Sequence, residues 1–170
     1  MISRLGVDFG RVIHGGLAAP GEEDTAFLNG EWDEAMASPA TPGMWEVLPQ
    51  IVDLFGIQVW VISKCGARVQ ERTLAWLDLH DFYAKTGIPT GNVRFCRKRA
   101  DKRGVGEELE ITHMVDDRLD VHEAIRDVVP YRYLFGPQRT EAPGWVMKPQ
   151  SWTELLGMLH RDPSDNPTHG

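Results

Sequence analysis

Cysteine is nearly absent: the 170-residue chain has two, Cys65 and Cys96. They are too few and too scattered for a disulfide framework, so a reducing, cytoplasmic setting is expected. No run approaches the roughly 18 consecutive apolar residues of a membrane span. The N-terminus has no charged region followed by a long apolar one, so no secretory signal is expected either. Basic residues are scarce relative to acids, 18 against 25, for a formal charge of −7. A general nucleic-acid or membrane-surface binder needs a basic face, which this balance disfavours. Internal repeats are also missing. What is present, 42% hydrophobic residues over a single-domain length, is enough for a two- or three-layer core.

Short β-prone runs alternate with helix-like segments. Residues 4–7, 57–63 ("IQVWVIS"), 93–96 ("VRFC"), 111–115 ("ITHMV") and 131–135 ("YRYLF") read as strands. Helical spacing of apolar residues runs over 44–55, where Met44, Leu48, Ile51, Val52 and Phe55 share a face, and over 67–79 and 119–129. A last helix follows Ser151, which with Glu154 has capping-box spacing. Pro49 is expected to bend or interrupt the first helix. Strands separated by such helices predict an α/β fold, a three-layer α/β/α sandwich around a five-stranded, mainly parallel sheet. One domain over residues 1–160 is expected, with two segments outside the alternation. Residues 14–43 carry five glycines, three prolines and no clear period, and read as a long loop holding a flap hairpin or small lid. Residues 161–170 have the composition of a disordered tail.

Parallel sheets bind ligands at the carboxyl ends of their strands. Those ends carry, in order, Asp8, Ser63 with Lys64 beside it, the basic stretch "RKRADKR" (97–103), and the pair Asp116–Asp117. Taken singly, each has a purely structural reading: a turn aspartate, a helix-capping serine, a solvated basic helix start. Adjacent aspartates are harder to place that way, because like charges at one strand end repel unless a cation relieves them. Together the four make coherent chemistry. A carboxylate can attack phosphorus or carbon covalently, facing carboxylates suit Mg2+, and a hydroxyl and an ammonium can hold phosphoryl oxygens.

In these four segments the chain resembles the haloacid dehalogenase (HAD) superfamily. "RLGVDFGRV" is similar to its first motif, with Asp8 in the nucleophile position, and "VWVIS" to its second, ending in Ser63. Lys102 in "RADKRG" best matches the third, with Lys98 as the alternative, and "ITHMVDD" matches the fourth. The resemblance implies a Rossmann-like fold and a Mg2+-dependent hydrolase, a phosphatase above all. It implies Asp8, Ser63 and Lys102 as catalytic residues, and Ser63, Lys64 and Lys102 as phosphate-binding ones. Mg2+ would be held by Asp8, the carbonyl of Gly10 and Asp117, with Asp116 close by. A dehalogenase acting on carbon without metal is disfavoured by the aspartate pair.

One departure matters. Family phosphatases carry a second aspartate in the first motif as general acid/base, and here that position is Gly10. Losing a positioned acid/base typically costs on the order of 10²–10⁴ in rate. The alternative is therefore a catalytically degenerate domain that binds a phosphate ligand or a protein partner. Arg11 stays protonated at neutral pH, which leaves His14 as the only nearby titrating substitute, set against a solvent-facing loop histidine. Residues 64–92 are used up by one helix and a loop, so no large cap fits there. The expected partner is a phosphorylated substrate, small molecule or macromolecule; a capless site is open, suited to a macromolecular substrate or to completion by a partner or a second copy in a homodimer. Phe27, Trp32 and Trp45 are candidates to line the opening, with core packing the competing role for Trp45. The six basic residues within 94–103 read either as an electropositive rim or as a helix start balanced by "EELE" at 107–110.

Overall fold

The computed structural model describes residues 2–15 and 25–161. Its centre is a five-stranded sheet of β1 (Leu5–Val7), β2 (Val59–Lys64), β3 (Val93–Cys96), β4 (His113–Asp116) and β5 (Tyr131–Leu134), in the order β3-β2-β1-β4-β5. All four pairings are parallel, with Val7 opposite Val61 on one side and Val115 on the other. The sheet is thus wholly parallel rather than mainly so.

Helices α1 (Thr25–Asn29), α2 (Trp32–Ala37) and α3 (Met44–Phe55) connect β1 to β2. Helices α4 (Ala67–Leu79) and α5 (Phe82–Thr86) lead to β3. A 3₁₀ turn at Arg99–Asp101 and α6 (Lys102–Glu108) lead to β4, α7 (Leu119–Ile125) leads to β5, and α8 (Trp152–Leu159) follows. Alternation along the strands explains the two covered faces. Leu5, Val7, Val59, Val61 and Val115 pack with residues of α3, α4 and α8. Ile62 and Met114 turn the other way, onto Val105, Ile125 and Val129. The result is the expected α/β/α sandwich. Gly6 lies in β1 where a Cβ would come within 2.7 Å of Met114 Sδ and 2.8 Å of Ile62 Cδ1, so any larger residue would force those side chains to shift.

Several expectations need correcting. Pro49 does not break its helix, which runs from Met44 to Phe55. Burial of Met44, Leu48, Ile51 and Val52 outweighs the missing N–H. Within 14–43, residues 25–37 form two short helices instead of a loop; each is too short to show a period. The 80–92 loop contains α5. Residues 16–24 and the tail from 162 lie outside the described residues. Ser151 Oγ does accept from Glu154 N (3.1 Å), but Glu154 Oε2 accepts from Gln150 N (2.5 Å) rather than from Ser151. Both cysteines are free thiols. Among the described residues, no helix is long and apolar enough to cross a membrane.

Candidate active site

The chain runs outward from β1 to β2 and β3, then returns to the opposite side of β1 to build β4 and β5. That reversal opens a crevice beyond the carboxyl ends of β1 and β4, the place where such sheets take ligands. Asp8 directly follows β1 and its N–H donates to Val115 O (3.0 Å), while Asp116 ends β4. Topology therefore brings carboxylates more than a hundred positions apart in sequence to one spot.

Lys102, the first residue of α6, joins them from the other face. Its Nζ donates to Asp8 Oδ1 (3.0 Å) and Asp116 Oδ2 (2.6 Å), and all three side chains are almost fully buried. Asp8 Oδ1 also accepts from Phe9 N (2.9 Å), and Asp116 Oδ1 from Arg118 N (2.9 Å). His122 Nε2 donates to Asp116 O (3.0 Å) and steadies the strand end. Asp117 brings its carboxylate within 4.8 Å of that of Asp8 and is paired with Arg11 Nε at 3.3 Å. Arg11 holds a left-handed backbone, φ 64°, which a non-glycine residue keeps only under constraint from its surroundings.

Charge in this cluster is unbalanced. Burial raises the Asp8 pKa well above the usual carboxylate range, and repulsion from Asp116 adds to it against the pull of Lys102. Burial and Asp116 likewise push Asp117 up to about 6, against the nearby cations Arg11 and Lys102. Burial alone would lower the Lys102 pKa, but Asp116 and Asp8 reverse this and hold its ammonium charged. Carboxylate oxygens of Asp8, Asp116 and Asp117 lie within 4.8 Å of one another. A hard divalent cation such as Mg2+ fits this oxygen donor set, and its charge would relieve the repulsion. Since both oxygens of Asp116 are already engaged, Asp8 and Asp117 are the better ligands. Gly10 can contribute only main-chain atoms.

A cavity of about 760 Å³ opens here, and its walls include Asp8, Gly10, Ser63, Lys64, Lys102 and Asp117. Ser63 lies inside β2 and the next helix is capped by Gly66, so the serine is not spent on capping. Lys98 is exposed, is not part of the cavity, and uses its backbone N–H on Asp101 Oδ2 (3.2 Å). Of the two lysines, Lys102 is the one in contact with Asp8. The basic stretch divides: Arg99 and Lys102 face the cavity, whereas Arg94 pairs with Glu108 (3.1 Å) and Arg103 with Glu107 (3.1 Å) and Asp127.

His14 is not solvent-facing. It is buried, bonded through Nε2 to Ser38 Oγ (2.6 Å), and packed among Phe9, Phe27 and Trp76 at the cavity wall. A lone histidine in a glycine-rich loop carries no sequence signal of such distant aromatic partners. Phe27 lines the cavity; Trp32 is an exposed residue outside it, and Trp45 stacks on Trp76. The wall bearing Phe27 is fastened by one stripe that runs along α4 to its C-terminal cap, His80. Arg72, Trp76 and His80, four residues apart, donate to the carbonyls of Phe27 (2.9 Å), Ser38 (2.9 Å) and Met36 (2.7 Å). The opposite wall is one that sequence reasoning misses. Arg118 at the start of α7 and the 137–140 loop after β5 both reach the cavity, and Gln138 Nε2 donates to Asp117 O (3.0 Å). The place of Arg118 directly after the aspartate pair is a signal that could have found it; the loop has no motif. No protein-family model matches the chain, and no curated protein matches it.

Proposed function

We propose that this chain is a Mg2+-dependent phosphohydrolase of the HAD type, slowed by the glycine at position 10. One observation carries the reading: Asp8, Ser63, Lys102 and Asp117, from four separate parts of the chain, line one cavity at the switch point of the sheet. Asp8 is the nucleophile. Its carboxylate oxygen forms a bond to phosphorus as the bond to the leaving oxygen breaks, and water then attacks the aspartyl-phosphate to release inorganic phosphate and regenerate Asp8. Lys102 holds the Asp8 carboxylate in place and, with Ser63 and Lys64, neutralises and orients the phosphoryl oxygens. Asp8, Asp117 and the Gly10 main chain would hold the Mg2+, which supplies Lewis-acid stabilisation of phosphoryl charge. No side chain at position 10 delivers a proton to the leaving oxygen, so esters with good leaving groups turn over best.

The test is hydrolysis of p-nitrophenyl phosphate in Mg2+ by the wild type and by Asp8→Asn. Turnover that falls by at least ~10³ in the variant is expected, as for loss of a covalent nucleophile. Absence of turnover across a broad phosphate-ester panel overturns the reading. A second reading, a ligand-binding domain without turnover, is favoured by the open space at Gly10, where a Cβ would meet no atom within 4 Å beyond its two chain neighbours. Phosphate binding by calorimetry without hydrolysis would establish it.

A further inference from the structure

Outside the buried cluster, the charged residues lining the cavity are lopsided. Lys64, Arg99, Arg118 and Arg139 are set against Asp120 and Glu123, a cationic excess in a chain whose formal charge is −7. Two of the cations are held side by side. Arg99 Nη1 pairs with Asp120 Oδ2 and Arg118 Nε with Asp120 Oδ1, both at 3.6 Å, so one carboxylate orients two guanidinium groups and neutralises only half their charge. Arg118 is also tied to the reaction centre, since its own N–H donates to Asp116 Oδ1 and it directly follows Asp117. Guanidinium pairs recognise carboxylate and phosphate geometry better than lysine does. Across from them, Phe27, Leu28 and Val69 form an apolar wall. The volume of about 760 Å³ is that of a small organic molecule's pocket, far more than one phosphate fills.

We infer that the substrate is an organic phosphate ester carrying a second anionic group, whose phosphoryl group sits at Asp8, whose carbon body lies on the Phe27–Leu28–Val69 wall, and whose second anion, carboxylate or phosphate, is bound by Arg99 and Arg118. This rests on the phosphohydrolase reading for the first of those three contacts. A single free phosphate or an uncharged-tail ester leaves the arginine pair without its ligand. The apolar wall selects for an aromatic or aliphatic linker between the two anions.

Calorimetry in Mg2+ with three unreactive probes tests this: phenylphosphonate, 4-carboxyphenylphosphonate and benzene-1,4-diphosphonate. In the wild type at least one doubly anionic probe binds about tenfold tighter than phenylphosphonate, roughly the 1.4 kcal/mol of one charge-assisted hydrogen bond. Which of the two gains more identifies the second group as carboxylate or phosphate. In Arg99→Gln/Arg118→Gln the ratio of affinities falls to about one; both side chains are exposed, and circular dichroism checks that the variant is folded. A wild-type ratio near one, binding of none of the probes, or a ratio untouched by the double substitution overturns the inference. Hydrolysis of p-nitrophenyl phosphate is read in parallel. Turnover with a ratio near one rejects the second anion site alone, and a tenfold ratio without turnover on any ester keeps that site while rejecting the hydrolase.

Discussion

Under the phosphohydrolase reading, an aspartate placed at position 10 supplies the proton carrier that the site lacks, and there is room for it. Gly10 is exposed, lines the cavity, has no positive φ, and meets no atom within 4 Å where a Cβ would stand. The Gly10→Asp change therefore needs no backbone adjustment. Removing a glycine also trims the freedom of the unfolded chain, worth ~0.4–1 kcal/mol in favour of folding. Against that stands a new carboxylate beside Asp8 and Asp117, whose pKa values are already raised by burial and by repulsion from Asp116. The two effects oppose, so melting temperatures within a few degrees of each other are expected, with Mg2+ favouring the variant. Catalysis should respond far more. A positioned general acid contributes about 10²–10⁴ in rate, or roughly 3–5 kcal/mol of barrier. Steady-state kcat for p-nitrophenyl phosphate is a weak readout, because that leaving group scarcely needs a proton; phenyl phosphate or an alkyl phosphate should show the full gain. Asp8→Asn in the Gly10→Asp background must abolish it. A folded, equally stable Gly10→Asp protein whose kcat on alkyl phosphates stays within twofold of the wild type would refute the argument that position 10 limits the rate.

Lys102→Met removes the cation shared by two buried carboxylates, and breaking such a pair should cost about 3–5 kcal/mol in urea unfolding at neutral pH; an unchanged midpoint would show that Lys102 is dispensable to the fold. Gly6→Ala drives a methyl against Met114 and Ile62 and should destabilise by about 1–3 kcal/mol, read as a lowered midpoint with unchanged m-value. His113, enclosed by Phe55, Tyr131 and Tyr133, has its pKa lowered by burial from 6.5 to about 4. Above pH 6.5 it is neutral whether folded or not and its contribution is complete; from 6.5 down to 4 only the unfolded chain takes up the proton, so stability falls. Between pH 7.5 and 5 that share is about 2 kcal/mol. Asp8 and Asp117, with raised pKa values, pull the other way, so the effect is measured as the wild type minus His113→Phe. Equal pH dependence of the two proteins would contradict it.

The residues legible in the sequence are those whose role depends on strand position alone. Asp8, Ser63 and Asp116–Asp117 each end an apolar run, and a parallel sheet carries all such ends to one edge. Lys102 is harder to separate from Lys98, because both sit in the same basic stretch; helix phase decides, turning Lys102 inward at the start of α6. What the sequence hides depends on contacts between distant segments. The burial of His14 needs Trp76 and Ser38, and the Arg99–Arg118 pair needs Asp120 between them. Helices α1 and α2 span five and six residues, too few for hydrophobic periodicity to declare itself. Pro49 shows the reverse case, a clear local signal overruled by core packing.

The three donors along α4 and its C-terminal cap that grip the carbonyls of Phe27, Met36 and Ser38 have a consequence for how binding is shaped. The wall bearing Phe27 is built on a helix of five residues, and these bonds tie it to a helix of thirteen. Substitutions along the Arg72–Trp76–His80 stripe would therefore be felt as lost discrimination among ligands before they were felt as lost chemistry. Under the phosphohydrolase reading, selectivity and turnover can thus drift independently, each under the control of a different part of the chain.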